Sequence, residues 1–161
     1  MKKYIASFIL IGLIFSCSPS EQKVDKLTNL LTEWKATSKS INDLSSQVGD
    51  QMFLLETKKE DDQASEAIPI SVNGEASNCE TEYSNLREKV DELIISWKEN
   101  TNSVEDLTTH MTAGKWTNED DENLEALKEE AKKAKANVDL WLIKLEELQT
   151  KCNLESKPSN T

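Results

Sequence analysis

The chain has 161 residues, 30% of them charged, and a formal net charge of −11 at pH 7. A surface so acidic repels nucleic acid phosphates and anionic headgroups, and a single arginine, Arg87, among nineteen basic residues removes bidentate phosphate clamps as a theme. Four glycines and three prolines, the latter only at positions 19, 69 and 158, leave two long proline-free stretches and point to helix.

In chain order the first segment is Met1-Lys2-Lys3, an apolar run from Ile5 to Phe15 and a break at Ile14-Phe15-Ser16-Cys17. Two lysines, a run too short to span a bilayer and a small residue before the break describe an export signal rather than a transmembrane helix. With a cysteine at the break, residues 1–16 resemble a bacterial lipoprotein signal peptide, and Ile14 to Cys17 resembles its lipobox. That resemblance implies cleavage before Cys17, thioether lipidation of its sulfur and acylation of the new amino terminus. Several acyl chains give firm retention, at ~0.8 kcal/mol per buried methylene. The mature chain, without Lys2 and Lys3, would carry two positive charges fewer, −13 instead of −11. Ser18 resembles the residue that directs lipoproteins to the outer membrane in some bacteria, so the expected location is the cell envelope, periplasmic or surface-facing.

Residues 17–161 read as one all-α domain with apolar residues recurring three and four apart. The first helix is expected over about 19–59, with Ser18 as cap, Pro19 in the first helical position and Glu21 closing a capping box. Its apolar stripe is Val24, Leu27, Leu30, Leu31, Trp34, Ile41, Leu44, Val48, Met52 and Leu55, with Gly49 as a candidate kink. An acidic linker is expected over 60–77, interrupted by Pro69. The second helix, about 78–113, has its own box at Ser77-Asn78-Cys79-Glu80 and a stop at Thr112-Ala113-Gly114. The third, about 118–152, opens at Thr117-Asn118-Glu119-Asp120, and residues 153–161 read as a disordered tail. Both later stripes keep heptad spacing, which predicts an antiparallel up-down-up three-helix bundle with coiled-coil-like packing. Helices of ~35 residues would make a rod ~50 Å long.

A short turn around Gly114, Lys115 and Trp116 makes partner positions of the second and third helices sum to a constant. Choosing 231 pairs Cys79 with Cys152, Tyr83 with Leu148, Leu86 with Leu145, Val90 with Trp141, Leu93 with Val138, Trp97 with Ala134, Val104 with Leu127 and Leu107 with Leu124. Register and an oxidising compartment together predict a Cys79–Cys152 disulfide, two buried free thiols being the alternative. The chain also repeats itself: the segment from Trp34 to Leu44 aligns with that from Trp97 to Leu107 at an offset of 63. Duplication of a helical unit explains the shared Trp-Lys, Ser and Asp-Leu, and implies that the first two helices pack with the same face.

Few residues suggest chemistry. The repeat sets Thr37 and Asn100 at equivalent seam positions, one turn after Trp34 and Trp97, where leucine would be expected. A polar pocket for a small ligand is one reading; a polar layer that fixes register is the other. Trp34, Trp97 and Trp141 read as core, whereas Trp116 in the turn is a candidate partner contact or a staple beside the Thr117 cap. His110 has no carboxylate or cysteine at ligand spacing and reads as an end-of-helix histidine. The acidic run from Glu119 to Glu122 lacks the alternating ligands and glycine of a calcium loop and suits a first helical turn. No phosphate loop, metal-spaced cluster, serine elbow or Cys/His pair appears, so neither catalysis nor a cofactor is expected. The function expected from the whole is a lipid-anchored, non-enzymatic interaction or scaffold module with a protein partner. The alternative is a lipoprotein holding a small hydrophobic or amphipathic ligand within the bundle. Nucleic acid is not expected as a partner; the sequence leaves the oligomeric state open, since a long heptad rod can also complete its core with a second copy of itself.

Overall fold

The computed structural model describes residues 20–64 and 73–152, with side chains over 20–57 and 78–152. Cys17, the signal segment and the tail 153–161 lie outside those residues. Three helices follow in order, α1 (Glu21–Ala64), α2 (Asn73–Thr112) and α3 (Asn118–Lys151), and each packs on the other two. Lys23 near the start of α1 meets Asp121 near the start of α3, while Cys79 near the start of α2 meets Cys152 at the end of α3. These contacts give the up-down-up bundle that heptad spacing predicts.

Burial follows the heptad closely. On α3 the buried residues are Asp120, Leu124, Leu127, Ala131, Ala134, Val138, Leu145 and Leu148, alternating by four and three, with half-buried Trp141 filling the missing step. On α1 they are Leu27, Leu30, Trp34, Thr37, Ile41, Leu44, Val48 and Gln51. The strict spacing therefore selects Gln51 for the seam, and Met52, which its apolar character favoured, is only half-buried. Val24 and Leu31, read as stripe residues, lie on the flank of the seam and are exposed. On α2, Cys79, Tyr83, Leu86, Val90, Trp97, Val104 and Leu107 are buried, and Leu93 is packed partly buried against them.

The helices are longer than expected. α1 runs to Ala64 instead of ending near 59, because residues 60–64 contain no glycine or proline to stop it. α2 begins at Asn73, so Ser77 lies inside the helix and the box at 77–80 does not start it. Of the linker expected over 60–77, residues 60–64 and 73–77 are helical, and 65–72 lie outside the described residues. The start of α1 also moves: the Ser20 carbonyl accepts from the backbone N–H groups of Lys23 and Val24 at 2.8 and 3.2 Å.

The α2 stop falls where Gly114 was expected to place it. Gly114 adopts φ 65°, the Lys115 N–H donates to the His110 carbonyl at 2.9 Å, and the Gly114 N–H donates to that of Met111 at 3.2 Å. This is the bond pair of a Schellman motif, which only a residue tolerant of left-handed geometry closes cheaply. α1 passes through Gly49 without interruption, and a Cβ added there would meet no atom within 4 Å. Gly49→Ala is accordingly expected to stabilise the protein by about 0.8 kcal/mol, read as a higher urea midpoint at unchanged slope.

Candidate functional site

Three places concentrate polar or reactive groups. The first is a layer across the middle of α1 and α2. Trp34 and Trp97 stack with ring centroids 3.6 Å apart and planes inclined by 12°. The contact is closer and more face-to-face than aromatic quadrupoles prefer, so burial and hydrogen bonding hold it rather than ring electrostatics. Trp97 Nε1 donates to Ser38 Oγ at 2.8 Å, and Trp34 Nε1 donates to Thr101 Oγ1 at 3.2 Å. Each hydroxyl in turn donates to the carbonyl of the tryptophan four residues before it on its own helix, at 2.8 Å in both cases.

The arrangement is reciprocal about a local two-fold axis between antiparallel helices. Trp34 and Ser38 stand to Trp97 and Thr101 as the offset of 63 requires, and the shared packing face is the one the repeat implied. What the sequence reading missed is that the two rings meet each other. It set Trp97 against Ala134, but a repeat folded back on itself also brings equivalent residues of its two copies to one level. Thr37 is buried beside this layer and Asn100 is half-buried. The stacked rings fill the space between α1 and α2 at the position read as a pocket or a register layer.

The second place is the end where α1 starts and α2 turns into α3. Thr117 caps α3 as expected: its Oγ1 accepts from the Asp120 N–H at 3.4 Å, and Asp120 Oδ2 accepts from the Thr117 N–H at 2.7 Å. Thr117 Oγ1 also donates to Asp120 Oδ2 at 2.9 Å. The other oxygen, Asp120 Oδ1, lies 2.7 Å from His110 Nδ1 across the turn. His110 was read without a carboxylate partner, and the structure corrects this. The signal was present, because folding the chain at 231 sets His110 opposite Asp121, one residue from its true partner.

Trp116 is half-buried and tied down at this end, its Nε1 donating to Asp121 Oδ1 at 2.9 Å and Lys23 Nζ standing 6.0 Å from its ring centroid. Lys23 bridges to Asp121 Oδ2 at 2.8 Å and Lys26 to Glu125 Oε1 at 3.1 Å, which fastens the start of α1 to the start of α3. Trp116 thus packs as a staple of the turn.

Burial raises the Asp120 pKa, but bonds from His110 and from the Thr117 backbone and hydroxyl outweigh it and hold the carboxyl below its ordinary value. A depressed carboxylate contributes stability that is present above the unfolded-state pKa and lost as pH falls through the folded one. Asp121 and Glu125 are lowered too, chiefly by hydrogen bonds from Lys23 and Lys26 respectively. Stability should therefore decline as pH drops below about 4, the ordinary aspartate range. Asp120→Asn should show a shallower decline in urea titrations, and an unchanged slope would remove Asp120 from the account.

The third place is the opposite end. The Cys79 and Cys152 sulfurs are 2.12 Å apart and their Cα atoms 6.1 Å apart, as the register predicts. Beside them Lys144 bridges to Glu82 Oε2 at 3.1 Å and Lys151 bonds Glu82 Oε1, so two lysines of α3 hold one glutamate of α2. These bonds lower the Glu82 pKa, led by that from Lys151.

Among the described residues no group of three or more His, Cys, Asp or Glu is placed to hold a metal ion, and no helix is long and apolar enough to cross a membrane. The fold and these three places define a helical bundle whose ends are tied by ion pairs and a cysteine bridge. The chain matches no family model, no curated protein and no solved structure.

Proposed function

We propose that the protein is a lipid-anchored component of the bacterial cell envelope, a non-enzymatic interaction or scaffold module held by acyl chains on Cys17. The single observation that supports this reading is where the unused chemistry lies. The Trp34 and Trp97 indole N–H groups and the Asp120 and Asp121 carboxylates are engaged in internal bonds, while Phe53, Ile95, Leu140 and Ile143 stand exposed on the outer faces of all three helices. Large apolar side chains outside, with the polar groups of the tryptophan layer and the turn bonded internally, suit binding of another protein better than chemistry on a substrate. The anchor would lie a few residues before α1, which sets the α2–α3 turn on the membrane side and the cysteine bridge on the far side. A second copy of the chain is an admissible partner, and nucleic acid is not.

Native mass spectrometry of the protein, gently extracted from its host envelope without reductant, tests the reading. An acylated species carrying a further defined protein mass is the expected result. A monomer carrying a reproducible small-molecule mass would transfer support to a ligand-binding lipoprotein. Cys17→Ser is expected to move the protein from the membrane fraction to the soluble fraction, and retention of that variant in the membrane would remove the anchor from the proposal.

A further inference from the structure

Each pair of helices meets along a flank, and the three flanks differ in character. Lys23 with Asp121 and Lys26 with Glu125 line the flank of α1 and α3, while Lys144 and Lys151 of α3 hold Glu82 on the flank of α2 and α3. The flank of α1 and α2 is built otherwise. It is marked by the bonds from Trp97 to Ser38 and from Trp34 to Thr101, and by the Arg87 guanidinium 3.8 Å from the Met52 sulfur. Counting by heptads from Ser38 and Thr101 gives Val24 and Leu31 on α1 and Ile94 and Thr108 on α2, none of them charged.

Val24 and Leu31 are 42% and 37% exposed, whereas Ser38, Ile94, Thr101 and Thr108 are half-buried. The stacked rings put Trp34 and Trp97 at one level of this antiparallel pair. Counting outward from that level sets Val24 beside Thr108, Leu31 beside Thr101 and Ser38 beside Ile94, to within one residue. Each of these layers therefore pairs one aliphatic side chain with one hydroxyl.

We infer that a second copy of the chain docks on this flank, side by side and with the same polarity. A two-fold axis parallel to the helices and just outside the flank lays α1 of one copy against α2 of the other, the self-complementary contact of a symmetric dimer. Each layer keeps its level under that rotation, so Val24, Leu31 and Ile94 of one copy oppose Thr108, Thr101 and Ser38 of the other. Large meets small in three successive layers, as interdigitated packing requires. Charge selects the same face, because two chains of net charge −11 repel each other least where an uncharged strip meets an uncharged strip. The inference names the partner for the anchored interaction reading above and rests on it for polarity: acyl chains before α1 in both copies fix one orientation. Leu140 and Ile143, exposed on α3, take no part in this contact.

The test uses the full acylated chain in its host's membranes, as two differently tagged populations carrying Val24→Cys and Thr108→Cys. The membranes are probed for the protein and then treated with a short bismaleimide. A product joining the two tags is expected, whereas Val24→Cys mixed with Ile143→Cys should give only the background of chance collision. Leu31→Glu, added to both populations, is expected to lower the yield about tenfold, because it drives an unpaired carboxylate into each contact. Leu140→Glu should leave the yield unchanged, and the cysteine pair decides the matter even where Leu31→Glu disturbs the fold. The inference is overturned by absence of the mixed product, by an equal yield with Ile143→Cys, or by a folded Leu31→Glu variant that cross-links like the parent. Protein present in the membrane without the mixed product overturns the second copy alone and leaves the interaction reading with a different partner. A membrane fraction empty of the protein overturns both.

Discussion

Dithiothreitol, or the double substitution Cys79→Ser with Cys152→Ser, is expected to lower the stability of the protein by about 4 kcal/mol. The cysteines are separated by 73 residues, and closing so long a loop removes much of the conformational freedom of the unfolded chain. Against the 5–15 kcal/mol typical of a whole domain, about 4 kcal/mol is a major share. The double variant is preferable to a single one because it leaves no lone thiol at the Cys79 position, which is buried. Urea unfolding with and without reductant reads the effect directly. If the two midpoints coincide, the sulfurs are neighbours without contributing to stability.

Trp97→Ala carries the second large effect, about 4 kcal/mol, within the range for truncating a buried aromatic side chain. The loss combines three contributions: the ring's own burial, its contact with Trp34, and the bond its indole donates to Ser38. Trp97→Phe separates them, since it keeps most of the bulk and loses the donor; about 1 kcal/mol is expected for it, the value of one hydrogen bond. A double-mutant cycle joining Trp34→Phe and Trp97→Phe should give a coupling above about 0.5 kcal/mol, because rings in contact are not independent. Strict additivity would mean that the stack is a coincidence of packing rather than a unit.

The features legible in the sequence were those that a repeat of seven fixes. Leu124, Leu127, Val138, Leu145 and Leu148 needed only their spacing to be placed inside, and the cysteine pair needed only the assumption of a tight turn. Thr117 could be read because a capping box is local, its two bonds spanning three residues. The turn after α2 was equally local, fixed by Gly114.

Illegible features had a different cause. Gln51 was passed over for Met52 because side-chain polarity was given more weight than register, yet a helix bonded along two neighbours cannot rotate its seam for one residue. The end at Ala64 was missed because residues 60–64, acidic and without breakers, read as linker by composition and as helix by backbone propensity. The Trp34–Trp97 stack and the His110–Asp120 pair both join residues on different helices. Their partners become visible only after the chain has been folded back on itself, even though the offset of 63 and the sum of 231 contained both alignments.

The bridge between Cys79 and Cys152 also sets the covalent topology of the molecule. α2 from Cys79 onward, the turn and α3 form a closed ring, whereas α1 enters that ring by a single peptide strand. One backbone cut anywhere between Cys79 and Cys152, at the Gly114 turn for instance, leaves the two pieces joined through sulfur. The same cut between α1 and α2 leaves α1 held without a covalent link, by packing and by side-chain bonds such as those of its tryptophan layer and the lysine pairs at its start. The three helices are therefore unequal under proteolysis: α1 is the detachable member, and losing it would uncover the Trp97 face of a hairpin that stays cross-linked.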